Sequence, residues 1–391
     1  MRSAIILAST LFAVGPTFAA YNLIKDYSGA NFFDGWQFYG NYDNLTNGDV
    51  VYLDQTNATQ GSPKLAYTTD KGTAIIRVDN ETVVPYNEKR NSIRIATTDF
   101  FPISSVFLFD AVHMAYGCSV WPSFWTSGAN WPAAGEIDIL EAVNLMPANQ
   151  MAIHSANGCT INGANCTDGA GCTVGEKKPN SYGDNFSNAG GGLWATQFET
   201  TGINIWFWSR ADIPASITSA TNSIDVSDWG TPSASYSTSS TCDIGKLFGP
   251  QQLILDITLC GDWAGVPSVY TPSCGGDGSA NACYINSVIN EGKAYNDAWL
   301  EMNYVKVFAT SDDTFTASLS GTSTVLLSAN AGPTSSSASS ASSAATTTKG
   351  SNSTNSSPNT GGGSGAAAAS PRMYLAFAAG TALSVFTWML L

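Results

Sequence analysis

The feature that most constrains the fold is a succession of short β-prone runs along most of the chain. The clearest runs are TAIIRVD (73–79), SIRIAT (92–97), SVFLFD (105–110), INIWFWS (203–209), QLILDIT (252–258) and LEMNYVKVF (300–308). Clusters of Gly, Pro, Asn and Ser separate these runs, and no long stretch keeps a helical period. Many short strands joined by turns are typical of a sandwich or a barrel, and we predict an all-β fold built as a β-sandwich.

The N-terminal segment, MRSAIILASTLFAVGPTFAA, has the composition of a sequence that is removed during secretion. A basic residue, Arg2, precedes an apolar stretch, and small residues follow at Thr17, Ala19 and Ala20. This layout is typical of a cleaved signal peptide. We therefore expect residues 1–20 to be a signal peptide and the mature protein to be secreted.

The C-terminal part of the chain has two segments of unusual composition. Residues 311–371 are rich in Ser, Thr, Ala, Gly and Asn, so we expect a disordered, O-glycosylated stalk with too little apolar area to order itself. Residues 372–391 form an apolar run that could span a bilayer, with the small residues of GGGSGAAAAS upstream. This pattern favours a GPI-anchor signal and attachment to the membrane at the cell surface or cell wall; the alternative is a retained C-terminal transmembrane helix.

The remaining region, residues 21–310, has a length that one monomeric all-β domain can fill. All eight cysteines lie within it, at positions 118, 159, 166, 172, 242, 260, 274 and 283. An even number of cysteines in a secreted chain indicates disulfide bonds, although the sequence does not rank the possible pairings. The lack of a CxxC pair and a total of two histidines argue against zinc, and we expect no metal or cofactor.

Charge and glycosylation signals narrow the class of ligand. Sequons for N-glycosylation begin at Asn44, Asn57, Asn80, Asn165 and Asn185, as expected of an extracellular protein. The net charge is −14, yet only 12% of the residues are charged and 11% are aromatic. A basic face for phosphate groups is missing, so nucleic acid is not an expected partner. Low charge with many aromatic side chains suits a neutral polymer.

Three carboxylates interrupt an otherwise apolar segment, WPAAGEIDILEAVN (131–144). Glu136 and Asp138 are two residues apart, and Glu141 follows three residues later. On a helix the three side chains would scatter, and on a regular strand Glu141 would point to the opposite face. One extra residue absorbed as a β-bulge around Ile139 and Leu140 would bring all three acids to one face. The spacing therefore predicts a bulged strand with its acids on a common face.

Crowded carboxylates are suited to acid–base chemistry. Like charges on one strand face repel one another, so such a row is either tolerated on a solvated surface or kept for chemistry. Crowding raises at least one pKa, which lets one acid stay protonated while another is ionised. Glycoside hydrolysis needs this division, because one carboxylate attacks the anomeric carbon while a protonated one donates to the leaving oxygen.

The residues around the acids favour a sugar-binding cleft. Trp121, Trp125 and Trp131 precede them in CSVWPSFWTSGANWP (118–132), and the first two, four residues apart, would share a strand face. Aromatic faces suit the apolar faces of sugar rings. His154, in QMAIHSANGC, falls on a plausible neighbouring strand, where a structural role and a site role are both open.

At these residues the sequence resembles family 16 of the glycoside hydrolases, in its fungal laminarinase-like branch of endo-1,3(4)-β-glucanases. The resemblance covers residues 21–310, and its segments are KDYSGANFFDGW (25–36), YNEKRNSIRI (86–95), WPSFWTSGANWPAAGEIDILEAVN (121–144), INIWFWSRADIPASI (203–217) and ILDITLCGDWAG (254–265). It implies a concanavalin A-like jelly-roll β-sandwich with a substrate groove across a concave sheet. It also implies retaining cleavage of β-1,3- or mixed β-1,3/1,4-glucan.

The resemblance also implies roles for the three acids. Glu136 would be the nucleophile, Glu141 the acid/base, and Asp138 a helper between them that tunes their protonation. The spacing Glu-x-Asp-x-x-Glu is specific to this branch, whereas lichenases and fungal wall transglycosylases have Glu-x-Asp-x-Glu. The expected substrate-binding residues are Trp121, Trp125, Trp131, His154, Arg90 and Gln197.

Arg90 and Gln197, unlike the other expected contacts, each carry a qualification. Arg90, in NEKRNS, matches a substrate-contacting arginine, with a structural ion pair as the alternative. Gln197, in ATQF, stands where many fungal relatives have Glu, which implies altered substrate contacts without loss of activity.

The leading hypothesis is a retaining endo-β-glucanase that acts on β-glucan by double displacement. A cell-wall glucan transglycosylase is the alternative within the same chemistry, because water and a sugar acceptor compete for one intermediate. A non-catalytic, lectin-like glucan-binding protein is an alternative from another class, although binding alone has no use for three crowded acids. A structural wall protein would explain the stalk and anchor but not the cleft residues.

Overall fold

The computed structural model describes residues 20–156, 158–167, 169–320 and 323–329. The predicted signal peptide, apart from Ala20, and the C-terminal anchor segment lie outside the described residues, as does most of the predicted stalk. Within the described part of the chain, no helix is both long and apolar enough to cross a bilayer. Strands dominate, and the predicted all-β sandwich is confirmed.

One face of the sandwich is a seven-stranded antiparallel sheet among the described residues, which we call the front sheet. Strands are numbered along the chain. In spatial order the front sheet contains β15 (Val174–Gly175), β12 (Gln150–His154), β11 (Glu136–Glu141), β10 (Val120–Gly128), β20 (Gln251–Leu259), β7 (Arg94–Thr97) and β2 (Trp36–Phe38). Several neighbours in this order are far apart in the sequence, as β10 and β20 are, so long crossovers of the jelly-roll kind connect them.

The second face is a nine-stranded antiparallel sheet in the same described ranges, which we call the back sheet. Its main path contains β18 (Ser223–Ile224), β1 (Tyr21–Ser28), β21 (Trp299–Ala309), β9 (Ser105–His113), β16 (Gly192–Glu199), β17 (Gly202–Ser209) and β19 (Ala234–Ser237). Off this path, β5 (Ala74–Arg77) pairs with β21, and β4 (Ala66–Thr68) pairs with β5.

Several short strands and helices lie outside the two large sheets. The remaining strands are β3 (Val50–Tyr52), parallel to β6 (Arg90–Ser92); β13 (Thr160–Ile161) with β14 (Ala164–Asn165); and β8 (Asp99–Phe100) with β22 (Phe315–Ser320) and β23 (Ser323–Ser328). The helices are α1 (Gln55–Gln60), α2 (Gly183–Asn188), α3 (Ala215–Thr218), α4 (Ile244–Leu247), α5 (Gly261–Ala264) and α6 (Pro267–Cys274). Single turns of other helix types occur at Gly29–Asn31, Arg210–Asp212, Tyr284–Val288 and Gly292–Tyr295.

The main core lies between the two sheets. Phe124 of the front sheet stacks on Phe109 of the back sheet with ring centroids 4.5 Å apart, and both side chains are buried. Ile137 and Leu140, the apolar residues between the acids, join this core, as predicted from their spacing. Because side chains alternate along a strand, burying the apolar positions of β10 and β11 directs the others to the opposite face of the front sheet.

A second apolar layer covers the outer face of the back sheet. Trp206 and Trp208 of β17 contact Trp229, with ring centroids 5.2 Å and 5.7 Å away, under the segment that follows β17. The intervening Phe207 points into the main core instead. The run INIWFWS is therefore apolar on both faces because the back sheet is covered on both sides.

Four disulfides join the eight cysteines, as the even count predicted: Cys118–Cys274, Cys159–Cys242, Cys166–Cys172 and Cys260–Cys283. Cys118 precedes β10 and Cys260 follows β20, so two of the bridges tie one end of the front sheet to the loop that carries α5 and α6. Bridges between positions so distant in sequence reduce the entropy of the unfolded chain and so stabilise the fold.

The folded region extends past residue 310, where the disordered stalk was predicted to begin. The hairpin of β22 and β23 pairs with β8 through Phe315 and Phe100 and through Thr316 and Asp99. Phe315–Ser320 and Ser323–Ser328 are therefore strands within the segment for which a disordered stalk was predicted. The Ser- and Thr-rich composition suggested a stalk, but Thr, Val and Phe are good strand formers once a partner strand is present.

Candidate active site

The three acids lie on β11 and project from the same face of the front sheet. Their partners in β10 alternate along one face of that strand: Ser127 opposite Glu136, Trp125 opposite Asp138, and Ser123 opposite Glu141. Ile139 has no partner in β10, and the register shifts again between β11 and β12. The β-bulge predicted from the spacing is therefore confirmed, and its extra residue returns Glu141 to the face of the other two acids.

A buried asparagine, Asn149, holds the bulge in place. Its Oδ1 accepts a hydrogen bond from the backbone N–H of Glu141 at 2.8 Å, and its Nδ2 donates to the carbonyl of Ile139 at 3.0 Å. These bonds satisfy backbone groups at the point where the register with β12 is broken. Sequence reasoning missed Asn149, because an asparagine in PANQ is typical of an ordinary turn.

Glu136 and Asp138 each influence the protonation of the other. Burial raises the pKa of Glu136 to about 8, the charge of Asp138 adds to this, and His154 and a hydrogen bond with Trp131 act in the opposite direction. Burial also raises the pKa of Asp138 to about 7; the interaction with Glu136 opposes this rise in part, and the charge of Asp256 adds to it. Carboxyl groups that interact in this way do not titrate independently of one another.

Glu141 is the acid most strongly biased toward its protonated form. Burial raises its pKa well above the ordinary value, and the charges of Asp138 and Glu136 add to the effect. The indole N–H of Trp121 donates to Glu141 Oε1 at 2.8 Å, which partly offsets the rise in pKa. Glu141 is therefore the acid in the cluster best suited to donate a proton.

His154 reaches the acids from the neighbouring strand β12, where it pairs with Glu136. Its Nε2 lies 3.3 Å from Asp138 Oδ2 and 3.9 Å from Glu136 Oε1. One donor atom from each of the three side chains falls within 4.8 Å of the others, a spacing that a cation could bridge. Both carboxylates belong to the acid cluster of β11, so we assign no metal to them.

The three predicted tryptophans surround the acids at different depths. Trp121 contacts Trp263 of α5 edge to face, with ring centroids 5.6 Å apart, in addition to its bond with Glu141. Trp125 lies under the guanidinium of Arg94, 4.9 Å from the ring centroid. Trp131, in the loop between β10 and β11, is 59% exposed. An indole so exposed beside the acids offers a flat surface to a sugar ring.

Arg94 and Asp256 belong to this face, and sequence reasoning missed both. Arg94 of β7 pairs with Asp256 of β20 in the sheet register, and their side chains form an ion pair of 2.6 Å. Burial raises the pKa of Asp256 to about 6, although the charge of Arg94 opposes the rise. The alternation in SIRIAT could have identified Arg94, because the flanking isoleucines are buried and leave the arginine on the other face.

Arg90 does not reach the acid-bearing face, and the predicted substrate contact is wrong. Its fully buried guanidinium donates to the backbone carbonyls of Asp79, Thr82, Val288 and Asn290. It also lies over the ring of Tyr295. With its donors used by backbone carbonyls rather than by a carboxylate, Arg90 joins two loops inside the fold.

Gln197 also lies away from the acids, and the predicted change in substrate contacts is wrong. It belongs to β16 of the back sheet, where Trp194 and Phe198 occupy the core face. Gln197 therefore points to the outer face of that sheet, and its Nε2 donates to the hydroxyl of Tyr21 at 2.9 Å. The two sheets and the core separate it from the acids.

Comparison with known proteins identifies the family. A model described as the XgeA-like catalytic domain of glycoside hydrolase family 16 matches residues 36–308. A probable glycosidase of Schizosaccharomyces pombe is 37% identical over 70% of this chain and 67% of its own length. The endo-1,3(4)-β-glucanase xgeA of Emericella nidulans is 34% identical over 78% of this chain and 50% of its own length. This chain therefore spans about half to two thirds of these curated relatives.

Two solved structures share the fold at similar identity. Laminarinase 16A of Phanerochaete chrysosporium, with β-glucans in its donor and acceptor sites, has a TM-score of 0.67 and 33% identity. An elongating family 16 β-1,3-glucosyltransferase has a TM-score of 0.66 and 35% identity. Each match covers 74% of this chain and 100% of the other. These matches confirm the resemblance inferred from the sequence: the chain belongs to family 16 of the glycoside hydrolases.

Proposed function

We propose that this protein is a retaining endo-β-glucanase that hydrolyses β-1,3-glucan and mixed β-1,3/1,4-glucan. The observation that carries the proposal is the bulge in β11, which gathers Glu136, Asp138 and Glu141 on one face, where burial raises the pKa of each. The relatives named endo-1,3(4)-β-glucanase and the laminarinase with bound β-glucans support the choice of substrate.

In the first step the Glu136 carboxylate attacks the anomeric carbon. The bond from that carbon to the glycosidic oxygen breaks, and protonated Glu141 donates its proton to the departing oxygen. The product of this step is a glycosyl ester on Glu136. Glu136 must be ionised at this moment, and the role we assign to Asp138 is to hold a proton in its place. His154 Nε2 lies 3.3 Å from Asp138 Oδ2.

In the second step water replaces the enzyme at the anomeric carbon. Glu141, now ionised, accepts a proton from the water as its oxygen bonds to the carbon and the ester bond to Glu136 breaks. Two inversions restore the original configuration. Both carboxyl groups return to their starting protonation states, so the cycle needs no cofactor.

Transglycosylation is a second candidate, because the structure of an elongating family 16 glucosyltransferase matches this chain at 35% identity. The same glycosyl ester would then be attacked by the hydroxyl of another glucan instead of water. The Trp121 and Trp263 pair lies on the Glu141 side of the site and could hold such an acceptor.

We further propose that the protein is secreted and held at the cell surface or wall by a GPI anchor. The support is the composition of residues 1–20 and 372–391. Release of the protein from intact cells by a phosphatidylinositol-specific phospholipase would test the anchor. Retention after that treatment would contradict it and favour a transmembrane segment.

The activity is tested by product analysis on laminarin, barley mixed-linkage glucan and cellulose. We expect short oligosaccharides from the first two substrates with the wild type and none with Glu136→Gln. An aryl β-glucoside with an acidic leaving group distinguishes the role of Glu136 from that of Glu141, because its leaving oxygen does not need to be protonated. Glu141→Gln should still form the glycosyl ester from it, and Glu136→Gln should not. Products longer than the starting oligosaccharides would favour transglycosylation. Binding without cleavage would contradict the proposal that the protein is an enzyme.

A further inference from the structure

The hairpin at Phe315–Ser320 and Ser323–Ser328, which we call the C-terminal hairpin, lies beyond the residues that match the family model. The family match ends at residue 308, whereas the hairpin begins seven positions later. It adds two strands to β8, which lies two residues after β7 of the front sheet. The C-terminal hairpin thus extends the fold beyond the matched residues on the side of β8.

The C-terminal hairpin reaches the loop beside the acids through one side chain. The Nδ2 of Asn130 donates to the backbone carbonyl of Thr324 at 2.8 Å, and the backbone N–H of Thr324 donates to Asn130 Oδ1 at 2.8 Å. The carboxamide thus pairs with the outer edge of β23 as another strand would. The carboxamide of Asn130 and the backbone of Thr324 each donate one hydrogen bond and accept one, so the contact fixes the orientation of the side chain as well as its position.

Asn130 begins the turn that presents Trp131. Its φ of 60° places it in the left-handed region, where an asparagine is tolerated, and its carbonyl accepts from the N–H of Ala133 at 3.0 Å. The far side of the turn is held by Gln251, whose Nε2 donates to the carbonyl of Ala134 at 2.8 Å. Trp131 therefore stands between two anchors, one of them supplied by the C-terminal hairpin.

Trp131 also connects this turn to the proposed nucleophile. Its indole is exposed to solvent for 59% of its surface, and its polar group favours the ionised form of Glu136, which lowers the pKa of that carboxyl. An exposed indole has few core contacts to define its orientation. The two hydrogen bonds between Asn130 and Thr324, which we call the clamp, take the place of those contacts.

We propose that the C-terminal hairpin is a positioning element of the active site: by clamping Asn130 it holds Trp131 and sets the affinity for glucan chains long enough to reach that indole. The inference rests on the proposed function. In this proposal Asn130 and Thr324 are positioning residues that act through Trp131.

The test compares two variants of the full-length protein that cut the clamp from opposite sides. Asn130→Ala removes the carboxamide, and Thr324→Pro removes the backbone N–H on the edge of β23, where proline is tolerated. Asn204→Ala is the matched control, because that asparagine bonds to Gln197 and Ser235 on the back sheet. KM and kcat are measured on laminari-oligosaccharides of increasing length.

Both clamp variants should raise KM about three- to tenfold for long oligosaccharides, the fold-change expected for the loss of one or two hydrogen bonds. They should leave KM for short oligosaccharides and kcat within about twofold of the wild type, a margin smaller than one hydrogen bond is worth. Asn130→Ala should add nothing to Trp131→Ala, because the clamp acts through that indole. The acidic limb of the pH profile of kcat/KM should move to higher pH when the Trp131 interaction with Glu136 loosens.

A purely structural hairpin would give a different result. Lower melting temperatures with unchanged KM at every chain length would overturn the inference, as would additive effects of Asn130→Ala and Trp131→Ala. If the wild type cleaved no β-glucan at all, the proposed function would fail and this inference with it. An active wild type with unaltered clamp variants would leave the proposed function standing and reject only the role of the C-terminal hairpin.

Discussion

Asn149 is hydrogen-bonded to Glu141 across the bulge of β11, with 2.8 Å between its Oδ1 and the backbone nitrogen of Glu141. The same carboxamide donates to the carbonyl of Ile139 on the other side of the bulge. One buried side chain therefore replaces the strand pairing that the inserted residue removes. The position of the proposed acid/base depends on this contact, although Asn149 itself is not one of the acids.

Removing the carboxamide should impair catalysis more than substrate binding. Asn149→Ala leaves two buried backbone groups without partners, which should destabilise the fold by about 1–3 kcal/mol. The bulge would relax and Glu141 would leave its position, so we expect kcat to fall at least about tenfold while KM changes little, since even small misplacements of a catalytic group are costly. Kinetics on laminarin and a thermal melt measure both effects. A loss of stability with unchanged kcat would contradict the positioning role.

The basic limb of the pH–rate profile should depend on Trp121. The indole N–H of Trp121 hydrogen-bonds to Glu141 and favours its ionised form, so removing that bond raises the pKa of the carboxyl further. Glu141 must be protonated to act as the acid, and the activity of Trp121→Phe should therefore persist to higher pH than that of the wild type. The profile of kcat/KM is the measurement. A basic limb displaced to lower pH would show that another group controls it.

Stability should fall as pH rises, because the buried acids prefer their protonated forms in the folded state. The pKa of Glu136 rises from 4.5 to about 8 on folding, so the folded protein binds more protons than the unfolded chain between these values. The free energy of unfolding therefore decreases with pH across this window. Melting temperatures from pH 5 to about 8 should drop for the wild type and drop less for Glu136→Gln, whose amide does not titrate. Equal slopes for the two proteins would contradict this account.

Two nearby arginines should respond to substitution in opposite ways. Arg94 forms the ion pair with Asp256 and lies over Trp125, so Arg94→Lys should raise KM severalfold by loosening that ring, at little expense in stability. Arg90 binds backbone carbonyls inside the fold, so Arg90→Lys should lower the melting temperature and leave KM unchanged. Kinetics and melting curves of the pair separate the two roles. A higher KM for Arg90→Lys with normal stability would restore it as a substrate contact.

The sequence by itself determined the features that depend on neighbouring residues. Alternation and turn residues predicted the strands of a sandwich, and the spacing of Glu136, Asp138 and Glu141 predicted the bulge. These features are local, because a strand directs every second side chain to one face whatever it pairs with. The likeness of the acid motif to family 16 followed from the same residues.

Only the tertiary structure decided which distant segments meet. The sequence favoured Arg90 and Gln197 as substrate contacts, but the pairing of β7 with β20 brings Arg94 to Asp256, and the back sheet carries Gln197 away. The bond from Asn149 to the bulge and the pairing of β22 with β8 were equally invisible in the sequence. Each depends on contacts between residues far apart along the chain, and such contacts are fixed by the packing of the whole domain rather than by any local pattern.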